Sequence, residues 1–167
     1  GLLFLYPAYV DALGLLYLYR GQISEALEQA GYLSDVAVLS NNSYVLALSH
    51  RLRALAYYHR RDIPSALASV TEALAVAQST SAESVHFYKM KTVAGLIEAG
   101  AERITAAIQH LQGAQSFYRS TGIKPALAEV QIALGLANWR AGDLRHAENA
   151  FKIGFLMASE HSYRQFE

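Results

Sequence analysis

Ala133-Leu134-Gly135-Leu136-Ala137-Asn138-Trp139-Arg140-Ala141-Gly142-Asp143-Leu144-Arg145-His146-Ala147 is the stretch that decides the fold. A small residue, Gly135, is followed by a leucine, then by the turn pair Gly142-Asp143, then by Leu144 and Ala147. The same arrangement returns three times upstream. Ala26, Ala66, Ala107 and Ala147 are spaced by 40, 41 and 40 residues. Three residues before each stands Ile23, Ile63, Ile104 or Leu144, and eleven before stands Leu15, Leu55, Leu96 or Leu136. Directly ahead of those leucines are Gly14, Ala54, Gly95 and Gly135. Four columns in phase over four units mark a repeat of supersecondary size, in which stacked units share one continuous core.

The rest of the chain agrees. Alanine and leucine, both strong helix formers, dominate. No stretch alternates with the period of two that a strand requires. The pattern predicts helices over 7–20, 23–40, 43–60, 63–79, 82–99, 103–120, 124–141 and 144–160. Pro7, Pro64 and Pro125 each stand where a helix can begin. The predicted turns are Arg20-Gly21-Gln22, Arg60-Arg61-Asp62, Gly100-Ala101-Glu102 and Ala141-Gly142-Asp143. Gly21 and Gly142 suit the left-handed residue that closes a helix, and Gly122 suits a helix stop. Asp62 and Asp143 suit the cap of the next helix, and Thr80-Ser81-Ala82-Glu83 has capping-box spacing. Gly14, Ala54, Gly95 and Gly135 are expected to let the partner helix approach closely, met by the alanine column from the other side. The opening Gly1-Leu2-Leu3-Phe4-Leu5-Tyr6 reads as the end of a preceding helix, and the chain as part of a longer protein.

A small residue in the first helix, a Gly-Asp-like turn and an alanine early in the second helix resemble the tetratricopeptide (TPR) family. Asp11-Ala12-Leu13-Gly14 through Ala26 matches nearly as well as the stretch quoted first. The third unit is weakest, with Gly100 two residues early in its turn and Glu98 in place of the usual aromatic. The resemblance implies an all-α, right-handed α-α superhelix of four helix pairs, a TPR-like solenoid with first helices lining the concave side. It covers a single domain over residues 1–167, with repeats at about 7–42, 43–81, 82–122 and 123–161. The period near 40 is similar to the sensor region of MalT-like, LuxR-type ATP-binding transcription regulators. The ending from Phe155 to Phe166 adds to that likeness, with Ser162 where such regulators usually carry glycine. Long repeats also occur in kinesin light chains, quorum-peptide receptors and cell-cycle scaffold subunits. Two functions are therefore implied. One is a ligand- or protein-binding sensor domain of such a regulator; the other is a generic scaffold gripping a partner segment in its groove.

Composition trims the alternatives. Lys plus Arg and Asp plus Glu balance at 14 each, which argues against direct nucleic-acid contact. There is no cysteine, so disulfides, zinc thiolates and cysteine nucleophiles are excluded, and a reducing cytoplasmic compartment fits. No apolar run approaches the ~20 residues that span a bilayer. Walker-type, dinucleotide-binding and nucleophile-elbow patterns are all missing, so neither an enzyme nor a cofactor is expected. The six histidines lack ligand spacing, so no metal site is expected either.

The candidate groove follows from helical spacing, because residues four and seven before and three after a leucine share its face. It comprises Asp11, Leu15 and Leu18; Arg51, Leu55 and Tyr58; Lys89, Thr92, Leu96 and Ala99; Glu129, Ile132, Leu136 and Trp139. A leucine at the centre of every unit disfavours the carboxylate clamp of TPR receptors for chaperone tails. Those leucines serve equally as packing between neighbouring repeats. From Val36 to Arg61 only Asp-free, Glu-free sequence occurs beyond Asp35, with His50, Arg51, Arg53, His59, Arg60 and Arg61 inside it. Such a run suits an anionic peptide end or a phosphate. The plainer reading pairs Arg51 or Arg53 with a neighbouring helix and places Arg60 and Arg61 on a helix C-terminal dipole. Tyr9, Tyr17, Tyr57 and Tyr58 fall at packing positions, while Tyr19, Tyr58 and Trp139 stand where they can point into the groove. Expected partners are a protein, a peptide or a small inducer. Uncapped ends, through Leu2, Leu3, Phe4 and Leu5 or through Phe151, Phe155 and Leu156, offer a route to a homodimer.

Overall fold

In the computed structural model the backbone is described for residues 2–164 and the side chains for residues 6–160. Eight helices occupy the described residues: α1 Leu2–Tyr19, α2 Ile23–Ser40, α3 Ser43–His59, α4 Ile63–Thr80, α5 Val85–Gly100, α6 Ile104–Thr121, α7 Lys124–Arg140 and α8 Leu144–Arg164. They pack as sequential antiparallel pairs, an all-α TPR-like arrangement. Most ends fall within one residue of expectation.

Two starts differ, for local reasons. α1 runs through Pro7, so this proline does not begin the helix, and the residues before it are not a separate one. The ring forfeits only the single bond that its missing N–H would have made one turn back. α5 begins at Val85, and the capping box at Thr80 is not used. The Thr80 hydroxyl donates to the carbonyl of Val76, four residues back in its own helix, at 2.9 Å, which keeps Thr80 in the last turn of α4. Ser84 caps α5 instead, its hydroxyl oxygen accepting from the Phe87 N–H at 3.2 Å.

The turns within the pairs are more uniform than their sequences. In each, an N–H reaches back five residues: Gln22 to Tyr17, Asp62 to Tyr57, Arg103 to Glu98 and Asp143 to Asn138, all at 2.9 Å. The residue just before each donor is left-handed, the Schellman closure of a helix. Gly21 and Gly142 fill that place with φ of 74° and 78°. In the second and third turns it is Arg61 and Glu102, with φ of 66° and 62°. Gly100, read as the turn glycine of the third unit, is simply the last residue of α5. Asp62 and Asp143 do cap, accepting from the Ser65 and His146 N–H groups at 3.2 and 3.1 Å. The Ser65 side chain and N–H hold the Asp62 carboxyl below the usual carboxylate range, as the His146 N–H and ring do that of Asp143.

The chain divides into two compact units, Gly1–Met90 and Lys91–Glu167. In the first, Leu33, Leu48, Leu52 and Met90 are fully buried among the alanines Ala26, Ala30, Ala56 and Ala73. Each such leucine contributes ~2 kcal/mol by leaving water. The buried Ser49 hydroxyl donates to the Ala30 carbonyl at 2.7 Å, tying α3 to α2. In the second unit, Ile97, Leu111 and Val130 are fully buried.

The small-residue column works as a contact surface in each unit. A methyl group on Gly95 would meet Leu111 and stand 3.0 Å from the Ala107 carbonyl oxygen, so α5 and α6 touch through both small columns. On Gly135 it would meet the Phe151 ring at 2.6 Å. Gly14 differs: what fills its notch is Leu52 of α3, the first helix of the following pair rather than α2.

Candidate partner-binding surface

Within the first unit, two members of the predicted groove are brought together and buried. Asp11 and Arg51 hold the same repeat position, four residues ahead of Leu15 and Leu55. The Arg51 Nη2 donates to both carboxylate oxygens of Asp11, linking α1 to α3. Their side chains are only 11% and 4% exposed, and the Arg51 Nε has no partner. The charge of Arg51 is therefore spent inside the protein. Of the anion-site reading, this removes the central cation.

The other cations of that stretch are placed differently. Arg60 donates to Asp62 at 3.2 Å and lies 5.1 Å from the Tyr57 ring centroid. Arg61 is the left-handed turn residue, and His59 ends α3. The His50 Nδ1 stands 2.9 Å from a Glu72 carboxylate oxygen but is not aligned for a hydrogen bond. Burial lowers the His50 pKa, with Arg53 adding to it and Glu72 opposing.

Tyr44, which sequence reasoning passed over, sits beside the ion pair. Burial raises its pKa, Asp11 raises it further, and Arg51 pulls the other way. Its ring rests 4.0 Å, centroid to centroid, from that of His86. A pocket of about 410 Å³ opens here, lined by Pro7, Ala8, Val36, Ser40, Asn42 and Tyr44 together with Val45.

The remaining groove residues of this unit are Leu15, Leu55, Tyr58 and Lys89, all half-buried, and Leu18, which is buried. Of the tyrosines expected to pack, Tyr17, Tyr57 and Tyr58 are half-buried, whereas Tyr9 is exposed. That outcome corrects the reading of Tyr9 as a core residue. Tyr19 is exposed as well.

In the second unit, Thr92, Leu96, Ile132 and Leu136 are half-buried, Ala99 is buried, and Glu129 is exposed. The Thr92 hydroxyl is hydrogen-bonded to that of Tyr118, whose pKa burial pushes up to about 12. Trp139 stands apart: it is 56% exposed at the end of α7. Two pockets of about 610 Å³ flank it, one against Leu144, Glu148, Phe151 and Lys152 of α8, the other against Glu102, Ile104 and Arg140. A wide aromatic face with an apolar pocket on one side and a mixed one, carrying Glu102 and Arg140, on the other suits a partner side chain.

A different face of α7 carries a polar pocket of about 400 Å³ between α6 and α8, with Gln131 in its floor. No motif search finds it. The repeat alignment gives no signal either, since Gln131 shares its column with Val10, His50 and Lys91.

Among the described residues there is no group of three or more His, Asp or Glu placed to hold a metal ion. None of the described helices is long and apolar enough to cross a membrane. His110 and His146 each meet one carboxylate, Glu98 at 2.9 Å and Asp143 at 2.7 Å.

No model of a protein family matches the chain, and no curated protein matches it by sequence. Among solved structures it is similar to BtubC (BKLC) from P. vanneervenii, with a TM-score of 0.71 at 18% identity. The match covers 93% of this chain and 64% of that one, so this chain spans just under two thirds of the length of BtubC. At that identity the likeness concerns the fold alone, and the fold is TPR-like.

Proposed function

We propose that this chain is a non-catalytic scaffold that binds a protein partner along its first helices. The observation that carries the proposal is Trp139, a large aromatic side chain more than half exposed between an apolar pocket against α8 and a mixed one carrying Glu102 and Arg140. In a repeat built this way the exposed positions vary freely without disturbing the packing columns. Among the described residues no nucleophile, base and oxyanion donors adjoin one another as catalysis requires. A peptide display selection on the 167-residue chain tests the proposal. Selected peptides should lose binding to Trp139→Ala and keep it for Tyr32→Ala, an exposed site on α2. Loss with Tyr32→Ala, or retention with Trp139→Ala, would refute it.

The finer reading, a sensor within a MalT-like or LuxR-type regulator that also recognises a small inducer, rests on the 40-residue period. Its closing motif falls largely beyond Glu160, outside the described side chains. That reading requires a P-loop ATPase and a helix-turn-helix encoded in the same gene, and a gene without them ends it. The resemblance to BtubC in fold sits more naturally with the scaffold.

A homodimer is proposed through α8. Leu144, Phe155 and Leu156 are exposed there, and neither Glu148 nor Lys152 makes an ion pair among the described residues. Antiparallel pairing about a twofold axis level with Ala150 sets Glu148 against the partner's Lys152, twice over. The alternative end, Leu2 to Leu5, lies outside the described side chains. Glu148→Lys and Lys152→Glu should each weaken dimerisation in sedimentation equilibrium, and an equimolar mixture of the two should restore it. A monomer at every concentration, or a dimer indifferent to both changes, would rule this out.

A further inference from the structure

α1 has no charged face. Among its described side chains the only charge is Asp11, buried against Arg51, and the exposed positions are Tyr6, Ala8, Tyr9, Ala12, Leu16 and Tyr19. A helix that is apolar all round belongs inside a protein. The later repeats show what α1 lacks. Tyr9 is 64% exposed, whereas Ser49, Met90 and Val130, at the same repeat position, are 0% exposed. Leu16 is 45% exposed, and its counterparts Ala56, Ile97 and Ala137 are again at 0%. Ala12 is exposed where Leu52, Val93 and Ala133 are buried. In α3 this face lies against the second helix of the preceding pair, since the Ser49 hydroxyl donates to the Ala30 carbonyl of α2 at 2.7 Å. α7 packs on α6 in the same order. The stripe on α1 is thus the one interface between pairs that no second helix covers among the described residues.

We infer that Tyr6, Tyr9, Ala12 and Leu16 form a docking surface for an amphipathic α-helix of a protein partner, seated on α1 as α2 is seated on α3. The stripe runs along ~15 Å of the helix, so about three turns of the partner cover it. Its members recur at three and four residues, the spacing by which one helix grips another. The contacting face of the partner is uncharged, because an ion set against Tyr9 and Leu16 would leave water without a counter-charge. It is also small opposite Tyr9, whose ring stands where Ser49 meets Ala30. A second copy of this chain does not offer such a face. Its last second helix is α8, where Glu148 takes the column of Leu27, Leu67 and Ile108. Ile108 lines a pocket together with Gln131 and Leu134 of α7, so that column faces the following first helix. Stacked on α1, it would drive the Glu148 carboxylate against the uncharged stripe.

The inference rests on the scaffold reading only in needing a protein partner, and its surface shares no residue with the Trp139 site. A library of 18-residue amphipathic helices, the length of α2 and α6, is displayed and selected on the 167-residue chain. The selected helices are synthesised for calorimetry and circular dichroism. Tyr9→Lys and Leu16→Lys should each weaken binding about tenfold or more, by setting a charge in the contact. The melting temperature of the free chain should not fall in either variant, because both positions are exposed. Trp139→Ala should leave the binding as it is. The peptides should gain helicity on binding, and a proline at their centre should abolish it. Binders indifferent to both lysine variants overturn the inference, as do binders that accept the proline, or a selection that enriches none. Sedimentation equilibrium of the chain alone supplies the last check: self-association abolished by Leu16→Lys would assign the stripe to a second copy instead. Should no peptide depend on Trp139, these binders are unaffected, and their own failure leaves the Trp139 site standing.

Discussion

Replacing Arg51 by methionine tests how the first unit is held together. The substitution keeps most of the aliphatic stem and removes the guanidinium, leaving the Asp11 carboxylate, 11% exposed, without its partner. Breaking a buried pair from one side typically costs about 3–5 kcal/mol, because an uncompensated charge stays behind. That is a large share of a domain stability of ~5–15 kcal/mol. Asp11→Leu should cost a similar amount, since it strands a guanidinium whose Nε is already unpartnered. The double variant should return to within ~1 kcal/mol of the native chain or exceed it, as apolar replacement of a buried pair often does. The coupling energy from the four chains should then be at least ~3 kcal/mol. Urea unfolding followed by far-UV circular dichroism is the suitable assay, because the only tryptophan, Trp139, lies in the other unit. An Arg51→Met cost below about 1 kcal/mol, or a double variant as unstable as the sum of the singles, would refute the reasoning.

Three further expectations are sharp. Gly135→Ala should lower the melting temperature, its methyl group overpacking the Phe151 ring by about 1–3 kcal/mol; Gly31→Ala, with nothing within 4 Å, should raise stability by about 0.5–1 kcal/mol. Arg61→Gly and Glu102→Gly should each stabilise by roughly 1 kcal/mol in thermal melts, because both residues are held left-handed in turns where Gly21 and Gly142 meet no such strain. The pKa of His50 lies below its ordinary value of 6.5, so the unfolded chain takes up protons first as pH falls. Its contribution is complete above about pH 6.5 and lost as pH drops through the folded-state value. His86, lowered by burial and Lys89, adds to the same loss. His50→Gln should flatten the melting temperature between about pH 7.5 and 5; an unchanged slope would exclude His50 as its source.

The paired helices were legible because a repeat writes its packing rule four times. Gly95 and Ala107, read as close-approach columns, do meet. The turns were legible at Gly21 and Gly142 but not at Arg61 and Glu102. There the four-fold hydrogen-bond geometry of the closure overrides the residue's own backbone preference. The start of α5 was misplaced because two serines and a threonine compete for one cap, and Thr80 bonds backward. The candidate groove was legible as a set of positions, though not as a surface. Helical spacing puts Asp11, Leu18 and Trp139 on corresponding faces, and one is paired, one buried and one exposed.

What the sequence by itself determined is the period, the helix pairs and the residues that must be small, because each follows from contacts repeated at fixed separation along the chain. What only the tertiary structure decided is where charge and polarity end up. Arg51 is neutralised by Asp11 from another repeat, and Gln131 is buried at the edge of a pocket. Both outcomes depend on which helix lies across from which side chain. Desolvation and pairing are properties of a three-dimensional neighbourhood, and no local pattern of residues encodes them.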